Sequence, residues 1–143
     1  MDKTQVVKVY TDGSCTPNPG KGSWGFVVKF HDDTIVKDAK PSVEDVTTNN
    51  RMEATPVLAV LQQLLKRGFL NIKLITDSQY VIRGITSLDA WLDKPDLKNR
   101  DIWVAIGALI KQYSPKIETE WVKGHNGHEF NEMCDKMASV GHI

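Results

Sequence analysis

Cysteine is scarce in this chain of 143 residues, which holds only Cys15 and Cys134, far apart and without a CxxC pattern. No histidine–cysteine cluster has the spacing of a zinc site. The first residues, MDKTQVVKVY, run directly into a predicted strand and lack the hydrophobic region of a secretory signal. These absences argue against a disulfide scaffold and favour two reduced thiols in a reducing compartment. We therefore expect a cytoplasmic protein.

Long hydrophobic runs and an excess of charge are also missing. No apolar stretch approaches the roughly 18 residues that a membrane helix needs. Lysine plus arginine and aspartate plus glutamate both number 18, so the formal net charge is zero. The totals show no basic surface, but they do not exclude nucleic acid as a partner because local patches matter more than sums. The length predicts a single domain over 1–143, and we expect a monomer without a membrane partner.

The pattern of apolar residues predicts an α/β fold. The predicted strands are VVKVYTD, which ends at Asp12, two strands in SWGFVVKFHDDTIVKDAKP joined by a turn at residues 31–33, NIKLIT and KIETEWV. GSCTPNPGKG is predicted as a turn-rich loop and DAWLDKPDLKN as a charged, proline-broken connection. The predicted helices are residues 47–68, SQYVIRGITSL, RDIWVAIGALIKQY and FNEMCDKMASV. Hairpin strands are antiparallel and strands separated by helices are parallel, so we expect a mixed five-stranded sheet with helices on both faces.

The helix predicted over 47–68, TTNNRMEATPVLAVLQQLLKRG, contains two unusual residues. Glu53 stands in one apolar row with Val57, Val60 and Leu64, and a carboxylate that faces a core is costly unless something pairs with it. Pro56 lies inside the helix, where proline removes a hydrogen bond and clashes with the carbonyl four residues earlier. The helix should therefore bend after one turn, or its regular part should start later.

Four acids combine into a possible site. Asp12 and Asp77 follow predicted strands, Glu53 opens the first long helix on its inward side, and Asp135 lies in the last helix. Sites collect at the carboxyl ends of parallel strands, and close carboxylates repel unless a proton or a cation lies between them. An oxygen-only cluster suits Mg²⁺. Two such ions about 4 Å apart can activate water and stabilise the leaving oxygen in phosphodiester hydrolysis.

Each acid also has an ordinary structural explanation. Asp12 suits a turn, Asp77 suits an N-cap, Asn50 and Glu53 are spaced for a capping box, and Asp135 suits a helix surface. The sequence pattern alone leaves these alternatives open.

Five segments in order carry a family resemblance: YTDGSCTPNPG, TTNNRMEA, TDSQYVIRGIT, KNRDIW and WVKGHNGHEFNEMCD. Together they span nearly the whole chain, and it resembles type 1 ribonuclease H. The resemblance implies strand order 3-2-1-4-5. It also implies endonucleolytic cleavage of the RNA strand of an RNA–DNA hybrid, leaving 5′-phosphate and 3′-hydroxyl ends.

The resemblance also implies roles for single residues. The metal ligands would be Asp12, Glu53, Asp77 and Asp135, holding two Mg²⁺ ions in the substrate complex, with Mn²⁺ able to substitute. His125 would assist proton transfer or product release from a loop; the alternative is an ordinary surface histidine. Contacts across the hybrid's minor groove would come from Cys15, Asn18, Asn49, Asn50 and Gln79, a phosphate of the DNA strand would be held by Thr48 and Asn99, and Tyr80 would lie beside that strand.

The chain departs from the family in one region. Many members carry a basic handle, but SLDAWLDKPDL holds three aspartates and one lysine. Phosphate contacts supply much of the affinity for nucleic acid, so we expect weaker hybrid binding than in a member with a handle. Trp91 would stack on the DNA strand in place of the handle or, as we expect, pack against the helices. The alternatives for the whole chain are another nuclease of the same superfamily or a non-catalytic hybrid-binding module.

Overall fold

Five strands form one mixed sheet in the computed structural model, which describes residues 1–123. The strands are β1 Val7–Thr16, β2 Lys21–Lys29, β3 Ile35–Pro41, β4 Asn71–Thr76 and β5 Lys116–Trp121. Their order is β3-β2-β1-β4-β5. β1 pairs antiparallel with β2, and β2 with β3, whereas β1, β4 and β5 run parallel. The mixed sheet and the predicted strand order are confirmed.

Four helices are described: α1 Asn49–Lys66, α2 Gln79–Thr86, α3 Leu88–Leu92 and α4 Arg100–Tyr113. Gly68, with φ of 89°, follows α1 in the left-handed conformation that often ends helices. In residues 1–123, no helix has the length and apolar character to cross a membrane. The predicted last helix with Asp135, and the loop with His125, lie outside the described residues.

The main hydrophobic core lies between one face of the sheet and the helices. Val9 and Val28 are register partners on this face, and Val57 and Leu61 of α1 pack in the same cluster. On the opposite face, Tyr10, Val27 and Ile75 form a smaller buried cluster. Because strand residues alternate between faces, the central strands β1, β2 and β4 are covered on both.

The first strand is longer than predicted. β1 continues through Asp12 to Thr16 because its ladder with β2 extends from Lys8↔Lys29 to Thr16↔Lys21. The predicted loop GSCTPNPGKG is therefore mostly strand, and only residues 17–20 form the turn. The parallel pairing of β1 with β4 nevertheless stops at Thr11↔Thr76. Asp12 is thus the first residue beyond the edge that β1 shares with β4.

The predicted connection DAWLDKPDLKN begins inside a short helix, α3, because Leu88, Trp91 and Leu92 are apolar enough to pack on the main core. The Trp91 ring meets the Trp103 ring edge-on, with centroids 5.2 Å apart. The prediction that Trp91 packs against the helices is confirmed.

Pro56 lies inside α1, which begins at Asn49 and runs without a break to Lys66. The prediction that the regular helix starts later is therefore wrong. Because proline has no N–H, Pro56 cannot donate to the carbonyl of Met52. This carbonyl instead faces Gly13 of β1, where an added Cβ would lie 1.9 Å from the Met52 oxygen. The carbonyl to which Pro56 cannot donate therefore lies where α1 closely approaches β1.

Candidate active site

Three of the four predicted acids meet at one point. Asp12, Glu53 and Asp77 each offer a carboxylate oxygen, and these oxygens all lie within 4.8 Å of one another. Asp12 is buried, with 4% of its surface exposed, and the other two are half-buried. The fourth acid, Asp135, lies outside the described residues.

The close approach of α1 to β1 positions two of these acids. Gly13 follows Asp12 and contacts the backbone of Met52, which precedes Glu53. Any side chain at position 13 would push the helix away from the strand. The absence of a Cβ at Gly13 therefore allows the carboxylates of Asp12 and Glu53 to come together.

The structure removes the capping box as an explanation for Glu53. The N-cap of α1 is Thr48, whose hydroxyl accepts a hydrogen bond from the Arg51 N–H at 3.2 Å. Asn50 is already inside the helix, so the interpretation of Asn50 and Glu53 as a capping box is wrong. The side-chain cap of α1 therefore lies two residues earlier than the predicted one and satisfies the N–H of Arg51.

Asp77 is not a helix cap either. The N-cap of α2 is Ser78, whose hydroxyl accepts from the Val81 N–H at 3.1 Å. The carbonyl of Asp77 accepts a hydrogen bond from the indole N–H of Trp121 at the end of β5, at 3.1 Å. The backbone of Asp77 is thus held between β4 and β5. Asp12 lies in strand β1 and not in a turn, so the interpretation of Asp12 as a turn residue is wrong as well.

The donor set fits a hard divalent cation. All three groups supply oxygen, and together they bring up to three negative charges to one end of a cleft of about 430 Å³. Such a cluster repels itself unless protons or cations lie between the carboxylates. Mg²⁺ binds through a few carboxylates and keeps its other positions for water and substrate phosphate. Asp12, Glu53 and Asp77 would hold the metal.

A cluster of small polar groups lies beside the acids. The Cys15 N–H donates to Asn49 Oδ1 at 2.8 Å, and the Asn49 N–H donates to Asn18 Oδ1 at 3.2 Å. The Cys15 thiol donates to Asn18 Oδ1 at 3.3 Å and to the Thr47 carbonyl at 3.5 Å. Burial raises the pKa of this thiol. Three predicted substrate residues are thus brought together, with Cys15 buried behind Asn18 and Asn49.

A second network connects the residues predicted to hold a DNA phosphate. The Arg51 guanidinium donates to Asn99 Oδ1 at 3.3 Å, and the Arg51 backbone N–H is the one capped by Thr48. Asn99 Nδ2 donates to the Tyr80 hydroxyl at 3.1 Å, which also accepts from Trp103 Nε1 at 2.8 Å. Thr48 and Asn99 are therefore joined through Arg51, and Tyr80 joins the network through Asn99.

Arg51 is a residue that the sequence analysis missed. Its guanidinium pairs with Asp101 at 2.7 Å and with Glu44 at 2.6 Å. Hydrogen bonding to Asp101 raises the pKa of Arg51, and hydrogen bonding to Arg51 lowers the pKa of Asp101. The position of Arg51 inside TTNNRMEA, among predicted substrate residues, could have indicated that it belongs to the site.

The cleft with the acids is also lined by four of the predicted substrate residues, Asn49, Asn50, Gln79 and Tyr80. It also includes Ser14 and Arg83, to which the sequence analysis assigned no role. The carboxylates and the polar substrate residues therefore share one continuous surface.

This architecture defines the chain as a mixed α/β domain with an acidic site, suited to a cation, at the carboxyl end of the parallel ladder between β1 and β4. Comparison with known proteins gives the family. The family model described as RNase H matches residues 4–143. A ribonuclease H of Bradyrhizobium sp. (strain ORS 278) is 39% identical over 150 residues, covering 99% of this chain and 92% of that protein. A ribonuclease H of Rhodopseudomonas palustris (strain TIE-1) is 41% identical over 148 residues, covering 98% of this chain and 90% of that protein.

Among solved structures, RNase H1 from the halophilic archaeon Halobacterium salinarum NRC-1 superposes with a TM-score of 0.75 at 28% identity. The match covers 96% of this chain and 97% of that one. The chain belongs to the ribonuclease H family of enzymes.

Proposed function

We propose that this protein is an endonuclease that hydrolyses the RNA strand of RNA–DNA hybrids with two divalent ions, Mg²⁺ in the first place, leaving 5′-phosphate and 3′-hydroxyl ends. The observation that carries the proposal is the shared cleft: Asp12, Glu53 and Asp77 lie on the same surface as Asn50 and Gln79. Membership of the ribonuclease H family supports the same substrate.

The described carboxylates supply the metal site, and the resemblance adds Asp135 as a fourth ligand. Held by these carboxylates, two ions would supply activation of the attacking water and stabilisation of the leaving oxygen. Asp12 is the most buried ligand and lies on the sheet, so it holds a fixed position. His125, also assigned by resemblance alone, would help proton transfer or product release.

The polar cluster supplies recognition of the hybrid. The minor groove of an A-like duplex displays 2′-hydroxyls and base edges, and side-chain amides both donate and accept hydrogen bonds. Asn49 and Asn18 are held by Cys15 and by each other, so their orientations are set before substrate binds. Such groups select for RNA on one strand with little preference for base sequence.

A gel assay with three labelled duplexes tests this proposal. RNA–DNA hybrid, double-stranded RNA and double-stranded DNA are incubated with the protein in Mg²⁺ and, in parallel, in EDTA. We expect cutting of the RNA in the hybrid only, in Mg²⁺ only, with 5′-phosphate products. Equal cutting of all three duplexes would indicate another nuclease of the superfamily, hybrid binding without cutting would indicate a non-catalytic module, and cutting in EDTA would contradict the metal mechanism.

A further inference from the structure

Of the three described carboxylates, Asp77 is the one that regular secondary structure restrains least. Asp12 lies inside the ladder between β1 and β2, and Glu53 lies inside α1. Asp77 lies in the turn between β4 and α2, outside both elements. The direction of its side chain therefore depends on the individual hydrogen bonds that fix this turn.

Hydrogen bonds hold the backbone on both sides of Asp77. Before it, the Thr76 carbonyl accepts from the Val122 N–H at 2.9 Å, at the end of the ladder between β4 and β5. After it, the Ser78 N–H donates to Thr76 Oγ1 at 3.1 Å, and the Ser78 carbonyl accepts from the Ile82 N–H of α2 at 3.2 Å. The peptide group between Asp77 and Ser78 is therefore held at its N–H edge.

A tryptophan holds the carbonyl edge of the same peptide group. The Trp121 Nε1–H donates to the Asp77 carbonyl at 3.1 Å. Trp121 is the last residue of β5, and 47% of its surface is exposed. Its ring belongs to neither of the hydrophobic clusters that residues 1–123 form, so burial in these clusters does not account for a tryptophan here. The bond to Asp77 does, because the indole places an N–H donor far from the backbone on a rigid ring.

The two bonds to this peptide group determine where the Asp77 carboxylate points. Because a peptide group is planar, bonds at both of its edges fix the backbone dihedral ψ of Asp77. The Asp77 carboxylate then stays within 4.8 Å of Asp12 and Glu53, against the repulsion between like charges. Without the indole bond, that repulsion would turn Asp77 away from the other acids, and its return on metal binding would cost affinity.

We propose that Trp121 is a positioning residue of the metal site: by holding the Asp77 carbonyl, it keeps the Asp77 carboxylate beside Asp12 and Glu53 before a metal binds. The proposal rests on the proposed function for what the bound metal does there. It gives a role in the site to β5, an edge strand that supplies none of the described carboxylates.

Removal of the indole N–H alone tests this proposal. Trp121 is replaced by benzothienylalanine, in which sulfur takes the place of the N–H and the shape of the ring is kept. The same replacement at Trp24 is the matched control. Trp24 is half-buried and stacks on Phe26, and the indole groups that donate hydrogen bonds within residues 1–123 are those of Trp103 and Trp121. Binding of Mn²⁺ without substrate is measured by electron paramagnetic resonance, and the melting temperature is recorded without metal.

Loss of a residue that orients a metal ligand typically weakens metal binding by about 10- to 100-fold. We expect the Trp121 replacement to bind Mn²⁺ about tenfold more weakly and to melt no more than about 4 °C below wild type. The Trp24 replacement should match wild type in both measurements. In hybrid cleavage, the Mg²⁺ concentration that gives half the maximal rate should rise by the same factor for the Trp121 replacement, and excess Mg²⁺ should restore the rate.

Unchanged Mn²⁺ affinity in the Trp121 replacement, or an equal loss in the two replacements, would overturn the proposal. A lower melting temperature with wild-type Mn²⁺ affinity would overturn it too, because Trp121 would then only stabilise the fold. The Mn²⁺ measurement needs no cleavage. Wild-type protein that bound Mn²⁺ but did not cut the hybrid would therefore contradict the proposed function and leave the result for Trp121 intact.

Discussion

Replacing Gly13 by alanine tests how the active site is assembled. An added Cβ would lie 1.9 Å from the Met52 carbonyl oxygen and 2.4 Å from the carbonyl carbon. Even weak carbon–oxygen contacts have separations of about 3.3 to 3.6 Å. Both partners in this clash are backbone, so no rotamer change relieves it, and α1 must move away from β1 by more than about 1 Å.

The loss of folding stability in Gly13→Ala follows from the kind of contact that the new Cβ makes. Overpacking of a well-packed interior costs about 1 to 3 kcal/mol, and a backbone clash belongs at the upper end. For a domain of this size we expect about 3 to 4 °C of melting temperature per kcal/mol, so Gly13→Ala should melt about 10 °C below wild type. The same movement separates Glu53 from Asp12, so hybrid cleavage should also fall in the protein that remains folded.

Gly107→Ala is the matched control. It lies inside α4, and its added Cβ would meet the end of the Leu92 side chain, Cδ1, at 3.0 Å. That flexible atom can move, and alanine is favoured over glycine in a helix by about 1 kcal/mol. The control should therefore melt at or slightly above the wild-type temperature, as followed by circular dichroism. If Gly13→Ala melted within about 2 °C of wild type with unchanged activity, the close approach of β1 and α1 would not be what positions the carboxylates.

Two further predictions concern stability. Thr48→Ala removes the N-cap bond of α1 and should cost about 1 kcal/mol in urea unfolding, whereas Ser87→Ala, at a helix start without a side-chain cap bond, should change almost nothing; equal losses would contradict the capping role. Asp101→Asn removes the pair with Arg51 and, because Asp101 is 66% exposed, should cost at most about 1 kcal/mol at pH 7. Since pairing lowers the pKa of Asp101 in the folded state, this stabilisation is present above the unfolded pKa of about 3.9 and is lost as pH falls through the folded pKa. Wild type and variant should therefore converge in acid, and a difference that persisted there would exclude the ion pair as its cause.

Local patterns predicted most of the fold. The bounds of β4 and α4 follow from apolar runs that end at turn residues, and Glu53 stood out because it faced the core side of its helix. The early end predicted for β1 was wrong, since glycine and proline in GSCTPNPGKG suggested a loop. The long ladder of hydrogen bonds with β2 outweighs those local preferences. A local sequence pattern does not show how far the pairing of two hairpin strands extends.

The contacts that join distant residues could not be predicted in the same way. Arg51 reads as an ordinary helix residue until α4 places Asp101 and Asn99 beside it. Asp77 and Trp121 are separated along the chain and meet only when β4 and β5 pair. Pro56 is an example of a sequence anomaly whose meaning needed the tertiary structure: the carbonyl it cannot pair lies against Gly13.

The central claim is that the carboxylate cluster is the metal centre for cleavage of the hybrid, and Asp77→Asn tests it most directly. Asp89→Asn, an exposed aspartate in the first turn of α3, serves as the control. Single-turnover cleavage of a labelled hybrid in Mg²⁺ is measured for both, together with hybrid affinity. Metal stabilisation of the reacting oxygens is worth several kcal/mol, so Asp77→Asn should be slower by about 10³-fold or more while still binding the hybrid, and Asp89→Asn should cleave like wild type. Cleavage by Asp77→Asn at near the wild-type rate would contradict the account.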